Sequence, residues 1–391
     1  MAISPARSIA FDVLRRVEGG AYASDLLMAA SRPLESRDAG LASELVFGCL
    51  RRQGQLDFLM RFFSRRDPSV QDPDVRMAVR MGIYQLRFLD RIPSHAAVGE
   101  SVELVKRAGK SSAAGFVNAV LRKVHRHPVR YPERWMELSM PEWILERWDR
   151  QYGRETADRI ARAFLGEPET WVRIPEGQAA PEGVELEASG EVPGAYRVVS
   201  GSTAGLRIQD VGSQSVVPLL RLRAGLTFLD VCAAPGNKTA QAMESGVRAI
   251  ACDLHVQRLR GLQAEGCARV AIDATRPLPF RRQFDRILLD APCSGTGTLG
   301  RNPEIRWRVQ RDGFARLAEL QSLLLRQALD CLAPGGLLVY STCSLEREEN
   351  EDVVRRVLGG APELEMRRIP GLQTGDGFYA AVIPSEQSAN D

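Results

Sequence analysis

Between residues 5 and 124 apolar side chains return every three or four positions. Ile9, Val13 and Val17 fall on one face; Leu41, Leu45 and Phe47-Gly48 follow Asp38; Leu56, Leu59 and Phe62 repeat the spacing. That period belongs to amphipathic helices, not to strands, whose side chains alternate. Residues 76–88 and 98–108 continue it. Pro93-Ser94 interrupts it, with Ser94 placed to cap the next helix, and 115–124 closes the series. An all-α bundle is the fold this stretch predicts.

Residues 128–205 lack that order. Pro, Gly, Glu and Trp are frequent, helical spacing survives only near 143–152 and 155–164, and Trp171-Val172-Arg173-Ile174 reads as a strand. Residues 177–201 read as mostly loop, so a connector with a small α+β subdomain is expected. From Gln209 onward strands and helices alternate. Strands are predicted at 226–231, 249–253, 270–273, 286–290, 337–340 and 378–383. Helices are predicted at 238–244, 256–264, 312–332 (stopped by Pro334-Gly335-Gly336) and 345–358. Such alternation implies a parallel sheet covered on both faces, a Rossmann-like α/β layout. The expected domains are therefore 1–127, 128–205 and 206–391.

Composition narrows the function classes. A hydrophobic share of 44% with 26% charged residues over 391 positions suits a soluble protein with more than one core. No apolar run is long enough for a membrane span, and the opening MAISPARSIA has no signal-peptide core, so a cytoplasmic location is expected. The 7 cysteines form no C-x-x-C pair and there are only 4 histidines, which points away from a metal site or a disulfide framework. The net charge of +3 permits a nucleic-acid partner without requiring one. Arg15-Arg16, Arg51-Arg52 and Arg65-Arg66, taken singly, read as solvated helix faces. Arg301, Arg306, Arg308 and Arg311 surround Trp307, a combination suited to phosphates and bases.

The chemistry gathers at strand ends. Loops after parallel strands open on one crevice. Three such loops carry Asp230-Val231-Cys232-Ala233-Ala234-Pro235-Gly236-Asn237-Lys238, Asp290-Ala291-Pro292-Cys293-Ser294 and Thr342-Cys343-Ser344. The first has a single glycine and a proline, not the Gly-x-Gly-x-x-Gly that cradles a pyrophosphate, so it suits a ligand without phosphates. Asp253, closing the second strand, is placed to accept from both ribose hydroxyls, and Asp273 from an adenine amino group or nearby backbone. S-adenosyl-L-methionine has ribose and adenine and no phosphate. Either aspartate also reads as a helix cap.

Longer blocks resemble a known family. Cys232-Ala233-Ala234-Pro235-Gly236-Asn237-Lys238-Thr239, Asp290-Ala291-Pro292-Cys293-Ser294-Gly295-Thr296-Gly297, Tyr340-Ser341-Thr342-Cys343-Ser344 and the approach segment Ile208-Gln209-Asp210 through Gln214 are similar to the Sun-type RNA cytosine-C5 methyltransferases. Arg80-Met81-Gly82-Ile83-Tyr84-Gln85-Leu86, Arg91-Ile92-Pro93-Ser94-His95-Ala96-Ala97-Val98 and Gly115-Phe116-Val117-Asn118-Ala119-Val120-Leu121-Arg122 resemble a NusB-like RNA-binding domain. Asn237 stands where the family usually has a second glycine, Pro175 where asparagine is usual, and Phe378-Tyr379-Ala380-Ala381-Val382-Ile383 lacks the customary basic ending. The first departure bears on backbone approach to the cofactor.

The resemblance implies methylation of cytosine C5 in ribosomal RNA, 16S rRNA by analogy, by a monomer using S-adenosyl-L-methionine. It implies a cofactor set of Cys232, Ala233, Ala234, Pro235, Gly236, Asn237, Lys238, Asp253, Arg258, Asp273 and Asp290. It assigns attack on C6 to Cys343 and adduct breakdown to Cys293, with Asp290 at the cytosine N3/N4 edge and Lys238 positioning the base or Asp290. From the residues alone Cys293 and Cys343 are nearly equivalent as nucleophiles. A free thiol is only about 3% ionised at neutral pH, so activation is required. A helix starting near Leu345 would lower the Cys343 pKa, and Glu346, Glu348 and Glu349 would oppose it. Cys49, Cys232, Cys252, Cys267 and Cys331 read as small core thiols.

Two rival classes fit these residues less well. A cysteine hydrolase needs a histidine beside its thiol, and beyond residue 127 only His255 remains, on the cofactor side. A non-catalytic RNA-binding factor has no use for the paired thiols. A target base must be single-stranded or extruded to expose C5 and C6. The helical bundle, through Arg51, Arg52 and neighbouring basic residues, is expected to contact the surrounding phosphates.

Overall fold

The computed structural model describes residues 2–262, 264–281 and 283–385. Two compact units emerge, one reaching to Glu167 and including Leu299–Arg308, the other holding Pro168–Thr298 and the chain from Val309. This division falls elsewhere than at 127/128 and 205/206. The helices at Glu142–Tyr152 and Arg154–Ala163 go with the bundle, and the short strands that follow go with the sheet.

The first unit is helical throughout. Pro5–Glu18, Ala23–Ala30, Ser36–Arg51, Gln53–Ser64, Pro73–Phe88, Ser94–Arg107 and Ala114–Lys123 enclose Phe11, Leu14, Leu45, Leu56, Leu59 and Val79, all buried. Ser94 is the first helical residue, and Pro93 holds the cap position expected of it. Phe63 enters the core, and Phe62, one position earlier on the helix, is 38% exposed.

The segment Leu299–Arg308 is held in this unit by its arginines. Arg306 is wholly buried and donates to the carbonyls of Leu299 (2.9 Å), Ser139 (3.0 Å), Arg51 (3.1 Å) and Phe164 (3.2 Å). Burial without a carboxylate partner pulls its pKa down to about 9. Arg308 donates to the carbonyls of Gly20, Ala21 and Val17. These two side chains therefore bind main chain and do not offer themselves to phosphates. Arg51 is likewise 6% exposed, with Nε on the Gly300 carbonyl, and is withdrawn from the expected phosphate contacts.

In the second unit four short antiparallel strands, β1 (Trp171–Arg173), β2 (Val184–Ala188), β3 (Ala195–Gly201) and β4 (Arg207–Ile208), form a sheet in the order β2-β3-β1-β4. Two of them lie in the stretch expected to be loop. β2 is the edge strand of this sheet; Val184-Glu185-Leu186-Glu187-Ala188 does alternate, but over only five residues and between the turn-forming Pro181-Glu182-Gly183 and Ser189-Gly190.

The larger sheet contains β5 (Thr227–Asp230), β6 (Arg248–Asp253), β7 (Ala268–Ala271), β8 (Phe284–Asp290), β9 (Leu332–Thr342), β10 (Leu364–Arg368) and β11 (Phe378–Pro384), ordered β10-β11-β9-β8-β5-β6-β7. The run from β9 to β7 is parallel. β11 is antiparallel to β9 and to β10, so the sheet is mixed rather than wholly parallel. The long helix ends at Leu329, and Pro334-Gly335-Gly336 is absorbed in a register shift between β8 and β9. No helix among the described residues is long and apolar enough to cross a membrane.

Strand order locates the crevice. After β5 the chain adds β6 and β7 on one side, then crosses to add β8 and β9 on the other. The β5 and β8 ends thus flank a topological switch point, where open α/β sheets bind ligands. Asp230 closes one of these strands and Asp290 the other.

Candidate active site

The β5 turn leads straight into the helix Asn237–Met243. Gly236 sits at φ +106°, a conformation a side chain resists, and this lets the chain reverse into the helix. Asn237 is already helical, so the position occupied by a second glycine in the resembled family needs no positive φ here. Its Nδ2 donates to the Ile208 carbonyl at 3.1 Å and ties the turn to the approach segment. Within that segment Asp210 caps the helix Val211–Val216 through Gly212 N (2.8 Å), and Gln209 Nε2 donates to Gln241 (2.8 Å). Pro175 lines a separate cavity of about 940 Å³ with Arg173, Arg207 and Glu244.

At the second position of that helix, Lys238 reaches across the switch point. Its Nζ lies 2.6 Å from Asp290 Oδ2 and 5.0 Å from the Phe378 ring centre, while Ser341 Oγ donates to Asp290 Oδ1 at 2.8 Å. Burial disfavours the ammonium, but the charge and hydrogen bond of Asp290 outweigh it and hold Lys238 above its usual pKa. Asp290 keeps a side chain 30% open to solvent.

Beyond these strand ends the two cysteine loops meet. Cys293 Sγ lies 3.4 Å from Cys343 Sγ. The hydrogen bond to Cys343, then burial, then charge on Cys343 hold the Cys293 thiol well above the ordinary range, against a backbone donation from Gly295. Cys293 therefore holds its own proton firmly while Cys343 stays beside it. The helix expected from Leu345 starts at Glu351, after a short 3-10 turn at Arg347–Glu349, so its dipole does not act on Cys343 through a first turn at that residue. Lys238 and Cys343 interact electrostatically, and this adds to the rise in the Lys238 pKa.

Glu349 fastens the loops together. It is fully buried and accepts from Ser294 N (2.8 Å), from the Ser294 hydroxyl, from Ser344 Oγ (2.5 Å) and from Gln321 Nε2 (3.1 Å). Ser294 and Ser344 each follow a cysteine. Thr296 Oγ1 accepts from Leu345 N at 2.9 Å, and Gly297 N donates to the Cys343 carbonyl at 2.9 Å. Gly297 also fits where nothing larger would, since a β carbon there would lie 2.4 Å from Gly377 O and 2.8 Å from Cys343 O. Sequence reasoning missed this role of Glu349, reading it only as one of three acids in a first helical turn that oppose the dipole at Cys343.

On the cofactor side the predicted acids divide. Asp253 is 6% exposed; its Oδ1 accepts from His255 N at 2.9 Å, and Oδ2 stands 3.9 Å from Arg258. The turn hydrogen bond uses one oxygen and leaves the second for a diol. Asp273 accepts from Thr275 N (3.1 Å) and Oγ1 (2.6 Å), which lower its pKa. Asp230, not singled out from sequence, is 1% exposed, bonded by Thr239 Oγ1 at 2.7 Å through Oδ2, while Oδ1 has no partner. Burial raises its pKa to about 7 against the Thr239 bond, with the Asp290 charge adding to the rise. A buried carboxylate oxygen without a donor fits a ligand carrying a cationic or N–H group. Cys232 and Cys252 are silenced by burial, the latter pushed up to about 12.

A turn built for a ligand without phosphates, opening at the switch point beside two thiols, marks the second unit as a Rossmann-like methyltransferase. A family model described as 16S rRNA methyltransferase RsmB/F matches residues 217–390, and a NusB family model matches residues 4–126. The chain is 34% identical to the probable ribosomal RNA small subunit methyltransferase B of Bacillus subtilis, over 92% of its own length and 89% of that protein's. It is 31% identical to ribosomal RNA small subunit methyltransferase B of Cronobacter sakazakii, covering 96% of this chain and 98% of that one. The crystal structure of PH0851 superposes with a TM-score of 0.80 at 22% identity, covering 98% of this chain and 99% of the other, and shows the same fold. The chain belongs to the ribosomal RNA small subunit methyltransferase B family and is an S-adenosylmethionine-dependent enzyme.

Proposed function

We propose that the protein methylates C5 of a cytosine in ribosomal RNA, 16S rRNA by its family, through a transient bond between Cys343 and C6 of the base. The observation carrying this reading is the 3.4 Å approach of Cys293 to Cys343, with the Lys238–Asp290 pair beside them. Cytosine C5 is a weak nucleophile. Addition of the Cys343 thiolate to C6, with a proton gained at N3, makes the ring enamine-like and C5 nucleophilic. Asp290, held by Lys238 and Ser341, meets the N3/N4 edge and favours that proton.

Bound S-adenosylmethionine supplies an electrophilic methyl carbon on a sulfonium. Asp253 would hold its ribose and the free oxygen of Asp230 its cationic end, with the turn from Cys232 to Lys238 beneath it. Arg258, which faces Asp253, and Asp273 complete the proposed set.

Cys293 has its role at the end of the cycle. While Cys343 is free, its sulfur keeps the Cys293 proton in place. Once Cys343 is bonded to carbon, that hydrogen bond and repulsion vanish, and Cys293 becomes the stronger acid. With its own proton passed to solvent, the Cys293 thiolate takes the C5 proton, the C6–S bond breaks to release the Cys343 thiolate, and the N3 proton returns to Asp290, which restores the neutral ring.

The test uses in vitro transcribed 16S rRNA with a radiolabelled methyl donor. Cys343→Ala should abolish transfer, whereas Cys293→Ala should accumulate a protein–RNA adduct that survives denaturing electrophoresis. The reverse pattern would exchange the two roles, and full activity in both variants would end the mechanism.

A further inference from the structure

Inside the first unit a groove of about 730 Å³ is lined by Arg52, Arg130, Tyr131, Arg134, Arg154 and Arg162. It collects five arginines against two lining carboxylates, Glu137 and Asp158. Both acids are already engaged, Asp158 by Arg134 at 2.6 Å and Glu137 by Arg162 at 3.0 Å. Arg134 also takes both oxygens of Asp149. Arg130 and Arg154 are exposed and carry no ion pair among the described residues. Arg52 has its guanidinium carbon 4.5 Å from the Phe88 ring centre and, among the described residues, bonds only a neutral amide, that of Gln55, so its charge is not cancelled. The surplus charge is therefore concentrated on Arg52, Arg130 and Arg154.

Two further features select the partner. The chain entering the groove, residues 122–130, carries Arg122, Lys123, Arg126 and Arg130 with no acidic residue. Arg126 is fastened to Asp90 and to the carbonyls of Leu86 and Leu89, which keeps this basic strap in place. Tyr131 is half-buried, its ring braced 5.2 Å from Phe58, giving a fixed aromatic edge among guanidinium forks. Forks and an aromatic ring in one concave surface suit phosphates in series with stackable bases, where an acidic peptide would use the charge alone.

We infer that this groove binds the backbone of the RNA substrate at nucleotides other than the target base. The inference rests on the proposed RNA-methylating function and assigns its docking surface to the helices following the matched NusB region as well as to Gln53–Ser64. It replaces the Arg51 contact expected from sequence with Arg130 and Arg154.

The experiment measures binding of full-length protein to a labelled 16S rRNA transcript between 50 and 300 mM KCl, chosen to span roughly the range over which counterion release is read. Each phosphate contact contributes about 0.7 to 0.9 to the slope of log affinity against log salt. The variant R130A/R154A should flatten that slope by about 1.4 to 1.8 and weaken low-salt binding at least about tenfold. An unchanged slope and affinity would overturn the inference. Equal binding of poly-glutamate, with equal sensitivity to the double substitution, would also overturn it in favour of an acidic protein partner. Methyl transfer by the unaltered protein is assayed alongside on the same transcript. Its absence would count against the RNA-methylation reading and leave the salt slopes to judge the groove alone.

Discussion

Ser294 and Ser344, from loops on different strands, donate their hydroxyls to the same carboxylate, that of Glu349, and stand 3.1 Å apart themselves. Because each serine follows a cysteine, the spacing of the thiols is set from below by a buried acid, and the two sulfurs need no bond to stay together.

Replacing that acid should separate the thiols. Glu349→Ala leaves a buried N–H, two hydroxyls and an amide without their acceptor, at about 1–3 kcal/mol for each group left unsatisfied. Relaxation of the surface loops offsets part of this, so a net loss of about 2–4 kcal/mol is expected in urea unfolding. Alkylation of Cys293 by iodoacetamide at a fixed pH should quicken, because the carboxylate and the Cys343 contact both keep its proton on. Unchanged stability together with unchanged alkylation would show that Glu349 holds nothing in place.

The Cys293 thiol should be the slower of the two to react. Cys293 is held well above the ordinary thiol range, first by its bond to Cys343. Mass spectrometry after brief alkylation between about pH 7 and pH 9, around the free-thiol pKa, should find Cys343 modified ahead of Cys293. In Cys343→Ser the charge that restrains Cys293 is gone, so Cys293 should react at lower pH than in the unaltered protein. Simultaneous labelling of both, with no change in the variant, would contradict the coupling.

Asp230 makes stability depend on pH in an uncommon direction. Its folded pKa of about 7 lies above the 3.8 of an unburied aspartate, so between these values the folded chain holds a proton that the unfolded chain has released. By linkage, stability falls as pH rises through this window, and the loss is complete above about 7. Urea midpoints measured from pH 4.5 to 8 (roughly that window) should decline for the unaltered protein, and the decline should flatten in Asp230→Asn. A parallel decline in both would assign the effect to other groups.

Much of this was legible in the chain. Helical spacing over the first 124 residues gave an all-α bundle, and the loops carrying Cys232, Cys293 and Cys343 were placed at the ends of strands that do share one edge. What escaped notice has common physical causes. β2 and β10 lie at sheet edges: β2 alternates over only five residues between turn-forming neighbours, and β10 has no fully buried apolar side chain to mark it. The Glu-rich run after Cys343 has the composition of a helix, yet it turns at Asn350 (φ −111°, ψ −103°) with Glu349 directed inward to its serines. Asp230 and Glu349 look like any surface acid until their burial is seen, and Arg306 looks like a phosphate contact until its four carbonyls are.

Gly297, wedged against the carbonyls of Gly377 and Cys343, couples three stretches of chain that meet only in space. Even one added methyl group would lever the Cys343 peptide away from its neighbour. The rims of these loops can thus take larger side chains, while the seam where they interlock has no room for a single extra carbon.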